Sequence, residues 1–486
     1  MTTGIPYDRP VDCDVAIVGA ELAGLITGAI LARRGLDVVV VDKPAQIGGG
    51  GGSTLRDGYW LDGGHRDGLD VTDLQVGWSW GRVAAREAGV SVPLRPVESP
   101  LRVHLLPEFP PKQPAPVVPG DWSPRGFASL ARDVFGVSEA AMPEFGKVLA
   151  ALSGASPDER RAAIPQTLVQ WLADGDVSPE VATAVYTMAK TVFCEYPERA
   201  SAGRLMSFFG ARGAEPMETG FADDAEMGGM SGLSAPFARA LEASGGRLCL
   251  DHEVVEVLFD GDRASGVVAL DPAQLVLELR ARAVVLARPI WDVLPLLPPE
   301  RVDPDTAEIS RRLLDESGDG LSLQVGLERV PRVRETGEVD DHAGWNRFFV
   351  GEERSYRGGF HIPSLSSRAS APPGRHLLQC MIVRWLRADE RPGWRETRAS
   401  LDAARETLRA FYLDYDDCVA WEAYQWVQRP AAMAWFWAPV ERHGLTLPRC
   451  PGLWLATSTF ESEAGPVDIC AQAGLLAARA VAEDLQ

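Results

Sequence analysis

The stretch from Asp14 to Lys43 constrains this chain more than any other: "DVAIVG", then "AELAGLITGAILARRG", then "LDVVVVDK". An apolar run ends at Gly19, a helical pattern opens by Gly24 and stops at Gly35, and a second valine run ends on Asp42. Near-continuous Val and Ile predict two parallel strands covered by helices on both faces, and Gly35 takes the position just past a helix end. A turn of this kind aims the unpaired N–H groups and positive dipole end of a helix at phosphate. Asp42, twenty-three positions after Gly19, stands where an acid holds ribose hydroxyls. A nucleotide-binding strand–turn–helix–strand follows, with residues Gly19, Ala20, Glu21, Leu22, Ala23 and Gly24 forming the turn.

One letter of that turn departs from the pattern. Its middle position calls for glycine so that backbone can approach a pyrophosphate, and the chain has Glu21 there. Two like charges about 4 Å apart repel by about 4 kcal/mol at an effective dielectric of about 20, or roughly a thousandfold in affinity. The carboxylate therefore turns outward, meets Arg56, Arg66 or Lys43, or serves as the anion itself, a placement worth about 0.3–1 kcal/mol at a helix N-terminus.

The remaining chain suggests where this unit continues. Five glycines at 48–52 lead into "STLRDGYWLDGGHRDG", a region rich in sharp-turn residues. Helical patterns fill 76 to about 220, interrupted by "PEFPPKQPAPVVP" at 107–119, whose prolines predict an extended loop rather than a strand or helix. A second α/β unit follows at 228–295, with a helix in "GGMSGLSAPFARALEASGG", strands joined by an Asp-Gly turn, and a closing buried strand. Strand-like "GLSLQVGLERV" and "HLLQCMIVRWL", with a charged helix near 395–413, precede a last strand, turn and helix.

These pieces, taken together, resemble the flavoproteins of the phytoene desaturase and amine oxidase group. The resemblance rests on the turn, on "IGGGGGSTLRDGYWLDGGH", on the 228–295 unit and on the C-terminal strand and helix. It implies an α/β fold, with a Rossmann-like FAD/NAD(P)-binding domain of the GR2 type and a mixed α+β substrate domain. The expected division is 10–75, 226–298 and 447–486 for nucleotide binding, and 76–225 and 299–446 for substrate. It also implies that FAD is the cofactor, that Gly48 and Gly49 approach its phosphates beside Gly50, and that Asp42 and Lys43 end the ribose-binding strand. His65 would lie near the flavin, and Val254 would offer backbone to the adenine. Gly465, Val467 and Asp468 would begin a helix aimed at the isoalloxazine.

Three positions depart from the family pattern: Glu21 for glycine, Gly50 for the usual arginine, and a C-terminal glycine run reduced to Gly465 before Pro466. The strand end Ala456, Thr457 and Ser458 replaces the Gly-Asp of the amine-oxidase branch, although small and hydroxyl residues are common there in the other branch. In such enzymes the flavin takes hydride from carbon and the protein orients the substrate, so no acid/base pair is required. None of GxSxG or HExxH is present. His65 is a candidate for proton transfer or for a structural hydrogen bond, and Arg66, like Arg56, for binding an anion or for solvated surface charge. The aromatic segment "WEAYQWVQRPAAMAWFWAP" includes Trp435 and Trp437, which either pack in the core or wall a pocket for an apolar or aromatic substrate.

Composition narrows the partners. With 68 acidic against 48 basic residues and a net charge of -20, nucleic acid and anionic membrane surfaces are poor partners. No run of eighteen apolar residues and no signal-type N-terminus occur, so a cytoplasmic protein without a transmembrane segment is expected. The seven cysteines are too widely spaced for a zinc or redox motif. The leading expectation is an FAD-dependent oxidoreductase oxidising or desaturating an apolar or amine-bearing metabolite. Its rivals are a fold that has lost FAD and works as an isomerase or cyclase, and a carrier or escort protein.

Overall fold

A computed structural model describes residues 8–486 except 50–51, 63–75, 97–100, 110, 112–116, 121–123, 194–196, 211–217, 317, 351–354, 386–389, 429–437, 463 and 465. Four predicted site residues, His65, Arg66, Trp435 and Trp437, together with Gly50 and Gly465, lie outside the described residues.

The first of two large sheets gathers strands from three distant parts of the chain. Its order is Arg247–Cys249, Val38–Val41, Val11–Val18, Val276–Leu286, Arg263–Leu270 and Glu253–Asp260, with Leu453–Leu455 pairing beside the end of Val276–Leu286. The pairings of Val11–Val18 with its two neighbours are parallel, as is that of Leu453–Leu455, whereas the 253–286 strands form an antiparallel meander. Val15 through Val18 and Val38 through Val41 are almost wholly buried, as continuous apolar runs in a two-sided sheet require.

The first helix, Leu22–Arg33, is buried from Leu22 to Ala32, which explains why it is apolar all round rather than on one stripe. Its partners are the helices Ser231–Ala243 and Pro466–Asp484. Thr27 Oγ1 donates to Ala23 O at 2.9 Å and to Gly474 O at 3.0 Å, and a Cβ on Gly474 would lie 2.5 Å from Ala23 O. Glycine thus permits this close crossing. Arg34 is the C-cap and Gly35 follows it with φ +89°.

The second sheet also has seven strands, in the order Val419–Val427, Gly318–Leu327, His376–Trp385, Ser355–His361, Trp345–Val350, Leu101–Leu106 and Val117–Gly120. The charged helix Trp394–Phe411 packs on it through Leu401, Ala404, Leu408 and Phe411. One sequence expectation is corrected here. The end of the proline-rich segment is a strand, with Val117, Val118 and Pro119 opposite His104, Val103 and Arg102. An edge strand tolerates proline because one side of its ladder needs no N–H.

Candidate functional site

The glycine turn is shaped by steric necessity. Gly19 has φ +113°, and a Cβ there would stand 2.4 Å from Ala287 O. A Cβ on Gly24 would be 2.1 Å from Gly19 O and 2.9 Å from Ala287 Cβ. Strand, turn and helix therefore meet too closely for any side chain at either position. Leu22 and Ala23 are buried beneath the turn. Gly48 N donates to Ala20 O at 2.8 Å, which clasps the following glycine loop to the turn.

Asp42 is 3% exposed at the end of its strand. Its Oδ2 accepts from Ala20 N at 2.9 Å, and its Oδ1 accepts from Lys43 N at 2.9 Å and from Arg288 Nη1 at 3.3 Å. Its carbonyl accepts from His252 N at 2.9 Å, which brings the start of the Glu253–Asp260 strand, and with it Val254, to the same strand end. The Lys43 ammonium is drawn away to Glu253, 2.9 Å distant on an exposed surface, and Arg56 lies 3.8 Å from Asp57. Glu21 turns inward: its side chain lies against Gly49, where a Cβ would come 2.1 Å from Glu21 Cγ.

The C-terminal elements close the other side. Ala456 N donates to Leu286 O at 3.0 Å. The next three residues form a buried hydroxyl cluster in which Thr459 Oγ1 lies 2.7 Å and Thr457 Oγ1 3.2 Å from His443 Nε2. Burial pushes the His443 imidazole down to about 4, so it is neutral. The Ser458 hydroxyl is buried with no hydrogen-bond partner among the described residues. Val467 is buried in the first turn of the final helix. The Asp468 carboxylate caps another helix, accepting from Trp80 N at 2.9 Å and Gly81 N at 2.8 Å. Burial raises it to about 6 despite those amides.

Sequence reasoning overlooked three groups here. Arg288 stood inside a quoted strand without drawing notice, yet it is the cation on Asp42. Arg204, 3% exposed, grips Glu461, which also accepts from Arg442 N at 3.0 Å. Burial works against the Glu461 carboxylate, but Arg204 and Arg442 hold it below the usual range. The third group begins with Asp62, which accepts from Ser53 Oγ at 2.5 Å and Met230 N at 3.0 Å. Gln379, with its amide oriented to satisfy its neighbours, donates to Asp62 Oδ2 at 3.2 Å and to His361 Nε2 at 2.8 Å. Trp345 stacks on His361 with centroids 4.0 Å apart. Burial raises the Asp62 pKa and lowers that of His361 to about 3. A small cavity beside this group is lined by Asp62, Phe221, His361, Ser367 and Ser370.

A glycine cradle at the carboxyl ends of parallel strands defines the class as a dinucleotide-binding protein. Comparison with known proteins makes the class definite. The model of the family described as flavin containing amine oxidoreductase matches residues 146–482, and that of an NAD(P)-binding Rossmann-like domain matches 17–66. The chain belongs to the flavin-containing amine oxidoreductases. No curated protein matches the sequence.

Among solved structures, an oxidoreductase from Methanosarcina mazei is similar at 16% identity and a TM-score of 0.65, covering 97% of this chain and 100% of its own. Putrescine oxidase with putrescine bound is similar at 16% identity and 0.61, covering 98% and 100%. Cyclohexylamine oxidase from Brevibacterium oxydans is similar at 20% identity and 0.56, covering 98% and 100%. These likenesses share the fold.

The expected α/β fold and the expected cofactor both stand: this is an oxidoreductase, and FAD is its cofactor. The framework present here fits that group. Gly19 and Gly24 let strand, turn and helix meet closely, which sets the N-terminus of the first helix at the turn, and the Ser458 hydroxyl is buried with no hydrogen-bond partner among the described residues. Among the described residues of this cradle, the Glu21 side chain lies against Gly49.

Proposed function

We propose that this protein oxidises a small, largely apolar amine with FAD. The observation that carries this reading is the amine oxidoreductase match from 146 to 482, which spans most of the second sheet as well as the C-terminal strand and helix. Amine oxidases among the structural neighbours support the substrate class. The net charge of -20 also favours it, because an acidic protein concentrates cations such as protonated amines near its surface. Bound flavin supplies the acceptor for hydride leaving the carbon beside nitrogen.

The chain's own residues hold and orient. In this reading residues 10–75, 226–298 and 447–486 form the nucleotide-binding unit, and 76–225 and 299–446 the substrate unit. Gly19, Ala20, Gly24, Asp42, Gly48, Gly49, Val254 and Val467 frame the cofactor. Asp468 acts at one remove by fastening the helix Trp80–Ala88. The reading assigns His65 a role near the flavin, Arg66 the binding of an anion, and Trp435 and Trp437 the wall of the substrate pocket. We place the protein in the cytoplasm; none of its described helices is long and apolar enough to cross a membrane.

The test is anaerobic mixing of the flavin-loaded protein with a panel of aliphatic and aromatic amines, watching for bleaching of the flavin band. Bleaching by an amine but not by the matching alcohol or alkene is the expected result. Trp435→Ala or Trp437→Ala should then slow bleaching by at least about tenfold with little change in thermal stability. Bleaching by a polyene alone would assign desaturation instead, and equal losses of rate and stability would make the tryptophans core.

A further inference from the structure

Glu21 is seated where the two glycine elements of the cradle come together. It is the N-cap of the first helix, with φ -78° and ψ 172°, yet its side chain makes no capping hydrogen bond. The chain of methylenes instead crosses Gly49, so that a Cβ at that glycine would lie 2.1 Å from Glu21 Cγ and 2.7 Å from Oε1. Gly48, next to it, is bonded to Ala20 O. The carboxylate thus lies in the seam between turn and loop. Arg288 approaches from the strand on the far side, with its Cγ 3.2 Å from a Cβ on Gly19 and its guanidinium on Asp42.

We propose that Glu21 is a displaceable occupant of the pyrophosphate seat. FAD binds only with this side chain rotated off Gly49, and the cofactor is consequently held more weakly, and exchanges faster, than the rest of the cradle allows. The inference rests on the reading that FAD is bound. A carboxylate left about 4 Å from a phosphate weakens affinity roughly a thousandfold. Rotation about staggered side-chain bonds carries the charge outward, but the bulk of the side chain and part of the repulsion remain. Gly49 is what admits this side chain, since a Cβ there would collide with it.

The experiment compares the wild-type protein with Glu21→Gly and Glu21→Gln. Each is stripped of flavin, titrated with FAD by fluorescence quenching at low and high salt, and followed for flavin release after dilution. The expected order of affinity is Glu21→Gly, then Glu21→Gln, then wild type, with a gap of at least about tenfold between the extremes. That gap narrows at high salt because salt screens the repulsion. FAD should also raise the melting temperature of Glu21→Gly more than that of the wild type. Equal affinity and equal release rates in wild type and Glu21→Gly overturn the proposal. Should Glu21→Gly fail to fold, Glu21→Gln decides alone, since it keeps the shape and removes the charge. Failure of all three to take up FAD overturns the proposal and the cofactor assignment together. Tighter FAD in the variants without reduction by any amine supports the proposal while removing the amine reading.

Discussion

The two seven-stranded sheets bury different kinds of residue. The interior of the first is made of Val15, Ala16, Ile17, Val38, Val39, Val40, Ala283, Val284 and Val285, all at or near zero exposure. Its polar work is done at strand ends and by backbone, as at Ala20 and Asp42. The second buries Ser322, Gln324, His361 and Gln379 within its strands, and joins them across strands: Gln324 Nε2 donates to Gln425 Oε1 at 2.9 Å, and His104 Nε2 meets Asn346 Oδ1 at 2.8 Å. The first sheet is a frame whose chemistry would survive many apolar exchanges. The second stakes stability on specific side chains, each of which costs free energy when its partner is lost.

The largest expected effect is in the frame, at its tightest point. Gly24→Val places carbon atoms on Gly19 O, and the folded protein should be lost or destabilised by more than about 3 kcal/mol, measured as soluble yield and denaturant midpoint. A stable, flavin-binding Gly24→Val would break the contrast, because the frame would then tolerate side chains where strand and helix meet. Next comes Asp62→Ala in the joint between sheets, which strips partners from Ser53 and Met230 and should cost about 2–4 kcal/mol by chemical denaturation.

The smallest effect per residue is on pH dependence. His361 and His443 stay neutral in the fold at about 3 and about 4, below the ordinary 6.5, so the unfolded chain binds more protons as pH falls below 6.5. Each should therefore withdraw at most about 2 kcal/mol of stability between pH 7 and pH 5. Asp468, raised to about 6, pulls the other way: its contribution is complete below 3.8 and is lost as pH rises through 6. The net slope should still favour neutral pH, because His104 and His342, each lowered to about 4 by burial, add to the first pair. Unfolding curves at pH 5, 6 and 7 read this directly, and a flat profile would show that these buried histidines are protonated or solvated.

Legibility followed sequence distance. The segment from Val11 to Asp42 could be read because strand, turn, helix and strand are neighbours along the chain, each with its own period and its own glycine. The Asp62 group could not, since Asp62 and Met230 are 168 positions apart and no local pattern pairs them. Arg204 and Glu461, separated by 257, are invisible for the same reason. Arg288 was hidden differently: it ends an apolar strand where a charge looks like a terminus, and only the fold turns it toward Asp42. The strand at Val117–Gly120 was lost to its prolines, which rule out a central strand but not an edge. Glu21 was visible at once as a misfit, but the direction of its side chain depended on Gly49, a residue in another loop.

The three-part first sheet also sets a timetable for the ribosome. Val38–Val41 emerges early, whereas Leu453–Leu455, which closes the sheet, follows about 400 residues later, a wait of roughly 20–80 s at about 5–20 residues per second. During that interval a run of valines has no finished sheet to enter. Completion of the first sheet is therefore a late event in the life of each chain, and a chain interrupted before its last helix would leave the Leu22–Arg33 helix without its partner Pro466–Asp484.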